Sequence, residues 1–392
     1  MKHLALFIVV LACIPYIFSI PQNRPRPTTQ SSFVQCSGNT VRKEVRDMKL
    51  DGDLDAYVAA FLSLAKDGTL LKFVNWHSPN EGGFWNYAHF TPRFLPWHRI
   101  FLKEFEKLIQ SRGGKYVPYW DWSLDSQRPW LSPVLSSEFF GSPNRETHIV
   151  DNGYFKNYTT TVSRSPIIHD YSPVGPFNSD NQLTTFSHPQ ALLLLLNESS
   201  QFSEFSYDFE MGPHFFVHQG IGGSRGQFSM WQSPDDPLFF LHHSFVDYMF
   251  SRFQDKYPDS FEGSRYGEQF TDITDEEILR PFNIPIKNVL KLDQVCVSYQ
   301  LPSEQVLKSA ENFTGTIVAP SIKLEWFKKT GLNLDQINTI INNTINVTNF
   351  INNNNLTVKS PNIPGVWIQK SNEVMKTKLN LKLVFILIFL IL

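Results

Sequence analysis

Eleven histidines are distributed along this 392-residue chain, and their spacing is its first chemical signal. His214 and His218 stand four apart in PHFFVH. On a helix that spacing puts both imidazoles on one face, where they can chelate one metal. The zinc-protease form of this motif carries a glutamate directly after its first histidine. Phe215 stands there instead, so that chemistry lacks its base. His98 follows Pro96 and shares a helical face with Phe101, Phe105 and Leu108, which aims it at the core. The plain alternative is a core histidine with satisfied nitrogens. His89 precedes it across Pro92 and Pro96, which break helix and turn the chain back towards His98. His77, in NWHSPN, ends another helical stretch and is the candidate that completes a trio. His242 and His243 are adjacent within an apolar helix; neighbouring helical residues point about 100° apart, so only one of them faces a given metal.

The elements that must carry these residues are mostly helical. Asp53 to Lys66 has Leu54, Val58, Phe61, Leu62 and Ala65 at helical spacing, with Gly68 as a stop. Pro96 to Gln110 places Ile100, Phe101, Phe105, Leu108 and Ile109 on one face before Gly113 and Gly114. Pro237 to about Lys256 reads as a third helix, with Asp235 or Asp236 as N-cap and Pro237 in the first turn. A short helix runs from near Pro213 to Gly220, and Lys115 to Tyr119 is a short strand candidate. The pattern predicts a mainly α helical bundle with long loops and few short strands.

Hydrophobic residues are 42% and charged residues 18%, the balance of a globular chain with a substantial core. Aromatic residues reach 14%, which suits a dense core or a pocket that holds rings. A net charge of −2 without a long basic run argues against a nucleic-acid partner. Lys2 and His3 precede an apolar run from Leu4 to about Ile14, and residues 1–20 read as a signal peptide, with an uncleaved anchor as the alternative. A flexible leader rich in Pro, Thr, Ser and Gln follows at 21–35. Loss of the signal removes Cys13 and leaves Cys36 and Cys296, either a disulfide in an oxidising compartment or two unrelated buried thiols. Sequons at Asn157, Asn197, Asn312, Asn342, Asn346 and Asn355 agree with a secretory route to the cell exterior. Residues 36–300 form the domain that holds the motifs. Residues 301–382 are Asn-rich and read as a glycosylated spacer, with structure around Leu324 to Phe327 and Leu334 to Ile345. The wholly apolar tail at 383–392 is too short to span a bilayer; it is either a GPI-attachment signal, giving a lipid anchor, or a plain hydrophobic end.

Long strings now add to the spacing. HFTPRFLPWHR, from His89 to Arg99, resembles the first copper motif of the tyrosinase family of type-3 dicopper proteins. PHFFVHQGIGG with SPDDPLFFLHHSFVD resembles its second, VPYWDW a core motif, and VRKEVRDM its opening helix. The resemblance runs from about Cys36 to Tyr299. It implies two copper ions, O2 and small phenols as partners, and oxidation of o-diphenols to o-quinones. By position, His77, His89 and His98 would bind one copper, and His214, His218 and His243 the other. Neutral imidazoles suit a borderline-soft metal that cycles between two oxidation states. Asp247 matches a family aspartate expected to orient a ligand imidazole, and Glu210 a glutamate expected to hold a water that helps deprotonate a phenol. Phe228 or Met230 falls where some relatives place a residue over the first copper.

Two departures from the family pattern stand out. Phe215 replaces the polar residue, often Asn, that many hydroxylating relatives carry after the first ligand of the second copper, which puts monophenol hydroxylation in doubt. Tyr87 stands where some relatives carry a Cys cross-linked to a ligand histidine, so that bond is absent. Alternatives to an oxidase are a haemocyanin-like O2 carrier and a catalytically idle surface glycoprotein that keeps the fold. His148, His169 and His188 lie outside the motifs and read as structural.

Overall fold

A computed structural model describes residues 38–171, 183–258, 261, 263–266, 269–309, 315–329 and 332–356. The signal segment, the leader, Cys13, Cys36, Asn312 and the apolar tail lie outside these residues. Cys296 is disulfide-bonded.

The helices are α1 (Val45–Leu50), α2 (Leu54–Lys66), α3 (Thr69–Trp76), α4 (Trp85–Ala88), α5 (Phe94–Ser111), α6 (Pro189–Glu198), α7 (Phe202–Phe209), α8 (Phe215–Gly222), α9 (Leu238–Lys256), α10 (Glu304–Ser309) and α11 (Leu334–Asn353). The strands are β1 (Thr40–Arg42), β2 (Gly263–Tyr266), β3 (Gln269–Ile273), β4 (Ile278–Leu279), β5 (Ile284–Pro285) and β6 (Val297–Tyr299). They form three two-stranded sheets: β1 pairs parallel with β6, β2 antiparallel with β3, and β4 antiparallel with β5. The protein is mainly α with few short strands, as the periodicity predicts. Among the described residues no helix is long and apolar enough to cross a membrane.

The frame of the bundle is the α5–α9 pair. Both helices are apolar on most sides, and their rings interdigitate: Phe105 stacks on Phe240 at 3.5 Å between centroids, while Phe101 meets Phe239 at 5.9 Å. Asp236 starts α9 by accepting from the Leu238 amide at 3.0 Å. Asp235 instead binds the Tyr158 hydroxyl and the Thr161 and Val162 amides. α5 begins at Phe94, two residues before Pro96, which sits in the first turn where its missing N–H has no helical partner to lose. Lys115 to Tyr119 is extended without a strand partner except at Tyr119, which bridges Glu44.

Two elements differ more from the sequence reading. The short helix near Pro213 is the end of a longer helical run. α7 continues through a π turn at Glu210–His214 into α8, because Pro213 cannot supply the regular helical bond. The Asn-rich region carries α11, closed at its start by a reciprocal Asn333–Gln336 capping box. Ile337, Thr348 and Ile351 turn inward, and Asn352 exchanges two hydrogen bonds with the Ile317 backbone.

Asp247 on α9 is the polar centre of this frame. It accepts from Arg99 of α5 at 2.5 Å, from Arg42 at 3.2 Å and from the Tyr299 hydroxyl at 2.7 Å, with Arg42 also bound to Glu106 at 2.8 Å. Arg99 further donates to the Leu290 carbonyl. Removing one member of a buried charged cluster strands the others without water. Asp247→Ala is therefore expected to lower the unfolding free energy by about 3–5 kcal/mol in urea titrations. Loss of the exposed Lys308–Glu304 pair should change it by less than about 1 kcal/mol.

Candidate metal centre

His77 caps the C-terminus of α3, His89 caps α4, and His98 lies one turn into α5. All three are buried, with ring centroids 4.7 Å apart for His77–His89 and 4.8 Å for His89–His98. Each is oriented from its far side by a backbone carbonyl. The Nδ1–H groups donate to Trp231 at 2.7 Å, Trp85 at 3.1 Å and Phe94 at 2.8 Å. A carbonyl can only accept, so these bonds place the proton on Nδ1 and leave the Nε2 lone pair free.

A second group gathers His214, His218, His242 and His243. His214 donates to the Glu210 carbonyl at 3.1 Å, one turn back across the π turn, and His218 to the Phe228 carbonyl at 2.6 Å. The 226–229 turn that brings Phe228 there lies against Gly222, where an added Cβ would fall 2.2 Å from the Ser229 nitrogen. The Nε2 atoms of His218 and His243 converge to 3.2 Å, and His98 stacks over His243 at 4.3 Å, so His243 stands between the two groups. His242 lies behind, stacked on His214 at 5.2 Å and edge-on to His218 at 4.6 Å.

Burial holds all seven rings neutral, helped by neighbouring imidazoles at every ring but His218. Burial lowers His98 to about 3 and His218 to about 4, and pushes the other five well below the ordinary histidine range. The Nε2 atoms of His77, His98 and His214 are buried with no hydrogen-bond partner among the described residues. Such orphans are costly in a folded chain unless something else binds them. In each group the candidate ligand atoms lie within 4.8 Å of one another, and neutral nitrogen donors suit copper. The residues present therefore fit two metal ions.

Both groups face one cavity of about 510 Å³, lined by His77, His89, His214 and His218 and walled by Trp85, Phe90, Phe215, Phe228, Trp231 and Trp326. Phe215 stacks on Phe327 at 4.8 Å, which brings the chain before α11 to the mouth. Phe228 packs on His218 at 4.5 Å, on the side of the second group, whereas Met230 lines the wall beside Trp231.

One sequence expectation changes here. Asp247 contacts no imidazole; its carboxylate is taken by Arg99, Arg42 and Tyr299, so it fixes α5 against α9 and orients no ligand ring directly. Glu210 lines the cavity, and its oxygens accept from the Phe90 amide at 2.9 Å and the Tyr266 hydroxyl at 2.5 Å, which leaves further acceptor capacity on the carboxylate. Burial pushes its carboxyl up to about 8. Sequence reasoning also missed Trp85, stacked on His89 at 3.9 Å and edge-on to His77 at 4.9 Å. Its position one turn before His89 was a usable signal. The carbonyls of Trp231 and Phe228 left none.

Comparison with known proteins agrees with this geometry. The family model described as the common central domain of tyrosinase matches residues 68–256. A tyrosinase-like protein of Diaporthe leptostromiformis, phomQ1', is 31% identical over 264 residues, covering 59% of this chain and 68% of that protein. Hemocyanin 2 of Megathura crenulata is 27% identical over 289 residues, covering 68% of this chain and 8% of that protein. A polyphenol oxidase structure from Thermothelomyces thermophila superposes with a TM-score of 0.50 at 19% identity, over 67% of this chain and 89% of that one, a likeness of fold. The tyrosinase family binds two copper ions, and the two imidazole groups here are positioned for such a pair. Matched in its central sequence, in its fold and in its two histidine groups, the chain belongs to the tyrosinase family of type-3 copper proteins.

Proposed function

We propose that this protein oxidises o-diphenols to o-quinones with O2, using copper held by His77, His89 and His98 at one position and by His214, His218 and His243 at the other. The observation that carries the reading is one aromatic-walled cavity onto which both buried imidazole groups open. Each catechol gives up two electrons and two protons, and one O2 takes up four of each from two catechols to leave as two waters. Bound copper supplies the redox couple for that transfer. The chain does the rest. Backbone carbonyls hold the imidazoles in one tautomer, and Trp85, Phe90, Phe215 and Trp231 offer flat apolar faces to a phenol ring. Trp326 and Phe215 narrow the entrance against water.

An O2 carrier is the second reading, favoured by the likeness to a haemocyanin and by Trp326 in the cavity wall. Quinone colour on adding a catechol to the copper-loaded chain separates the two. His243→Ala is expected to leave one copper per chain, and His242→Ala two, by metal analysis; the reverse would exchange their roles.

Catechols should be oxidised much faster than monophenols. A monophenol has a pKa near 10 and needs a base, while Phe215 offers none and Glu210 is already tied to Phe90 and Tyr266. Initial rates on tyrosine and on its catechol test this. Phe215→Asn is expected to raise the tyrosine rate at least about tenfold, less than the ~10²–10⁴-fold of a fully positioned base because an amide acts only through the water it orients. Because Phe215 also stacks on Phe327, Phe327→Ala is the control: it opens the mouth without adding a polar group, and an equal gain there would refute the role given to Phe215.

We also infer a secretory route, supported by the amino-terminal apolar run and by exposed sequons at Asn157, Asn342 and Asn346. Asn197 is 5% exposed, and its side-chain carbonyl accepts from Lys256 at 2.8 Å, so it has no room for a glycan in the folded chain. In protein collected from a eukaryotic culture medium, Asn157→Gln should lose one glycan mass and Asn197→Gln none.

A further inference from the structure

The hairpin formed by β4 and β5 lies beyond the residues matched by the family model, yet it touches the neighbours of all three histidines of the first group. Phe282, at its tip, packs edge-on against Trp76 at 5.7 Å, and Trp76 is the residue before His77. The same ring meets Trp97, the residue before His98, at 5.6 Å, and the Trp97 indole N–H donates to the Arg280 carbonyl at 2.7 Å. At the base of the hairpin, Glu277 accepts from the hydroxyl of Tyr87, two residues before His89, at 2.9 Å. The Tyr87 hydroxyl also lies 3.0 Å from the Ile278 carbonyl. Arg93 closes the loop on its other side with a forked pair to Glu277, 2.5 Å and 3.0 Å, and its guanidinium lies 4.4 Å from the centre of the Tyr87 ring. The Arg280 guanidinium stands 5.7 Å from that ring.

These contacts meet a need that the local chain cannot meet. Between His77 and α5 the only regular element is α4, four residues long, and one turn of helix is not stable by itself. His89 sits just past its end, with Phe90 in the left-handed region at φ 57, a conformation that costs a non-glycine residue about 1–2 kcal/mol. A loop so placed holds a ligand ring in register only when outside contacts fix it. Glu210 supplies one from the cavity side through the Phe90 amide, the Trp231 carbonyl another through His77, and the hairpin adds a set from outside.

We propose that the 277–285 hairpin is an outer brace that registers the three imidazoles of the first metal position, with Glu277 as its positioning residue. The inference rests on the assignment of His77, His89 and His98 to one copper. Glu277 touches neither metal nor substrate; it acts through Tyr87 and Arg93. Contacts that orient ligands from behind set metal affinity, and their loss costs about tenfold or more.

The test is the rate at which copper passes to a chelator, read spectroscopically on the full-length chain at each position separately. A His214→Ala background isolates the first position, and a His98→Ala background the second. Glu277→Ala is expected to speed release from the first position about tenfold or more, the size seen for such contacts, and to leave the second unchanged. Tyr87→Phe, which removes one hydroxyl, carries the same test on a gentler change and should shift release in the same direction. Lys287→Ala, two residues past the hairpin and ion-paired with exposed Glu276, should shift neither. Unchanged release in both Glu277→Ala and Tyr87→Phe, or equal acceleration at the two positions, would overturn the brace. A His214→Ala chain that holds no copper would overturn the ligand assignment, and the brace with it.

Discussion

Everything in this centre depends on imidazoles that stay neutral and point one way. Burial does the first: removed from water, a histidine gives up its proton, and a cluster of histidines does so more readily because each disfavours charge on the next. Hydrogen bonds to backbone carbonyls do the second. Five rings donate Nδ1–H to carbonyls of Trp231, Trp85, Phe94, Glu210 and Phe228. Backbone acceptors hold position with the fold itself, whereas side-chain acceptors would need orienting in turn. The cost is a set of buried nitrogens with no hydrogen-bond partner among the described residues, a cost that two bound metals taking up lone pairs there would offset.

The placement of those carbonyls explains what a reading of residues alone can reach. His98, His214, His218 and the His242–His243 pair are legible because helical period and adjacent prolines fix where they point. His77 is legible only through order along the chain, since its orienting group, the Trp231 carbonyl, comes from a turn far away in sequence. Asp247 illustrates the opposite failure. One turn beyond His243 it looks like a partner for a ring, but Arg42 and Tyr299 arrive through β1 and β6, whose parallel pairing nothing local announces. For Glu210 the residue is legible but its surroundings are not: its partners Phe90 and Tyr266 lie on segments that meet only in the fold. The Asn-rich region reads as spacer by composition with structure expected only around Leu324 to Phe327 and Leu334 to Ile345, and α11 runs on to Asn353 because its isoleucines recur at helical spacing and Asn333 caps its start.

That helix matters to the cavity. Phe327 and Ile337 form a small apolar cluster with Phe215 and Phe216, separate from the main core. The residue that departs from the hydroxylating pattern is thus also the one on which the carboxy-terminal segment rests. An amide at 215 would lose that apolar contact, so chemistry at the metals and packing at the entrance are coupled through one side chain. Trp85, by contrast, packs on His77 and His89 of the first group.

The two metal positions are built unlike each other, and the difference has a physical consequence. In the proposed ligand set the second draws His214 and His218 from one continuous helical run and His243 from α9, a largely buried helix; its geometry follows once those helices pack. The first draws one ring each from the end of α3, the end of α4 and the start of α5, three elements joined by a long irregular stretch. Fixing three separate backbones costs more conformational entropy than fixing two packed helices. The chain offsets that cost with non-local contacts: Trp85 against two rings, Glu210 on Phe90, and a hairpin that reaches Trp76, Tyr87 and Trp97 together. The first position therefore depends on residues up to Pro285, well past the last histidine of the site, while the second is complete within α9.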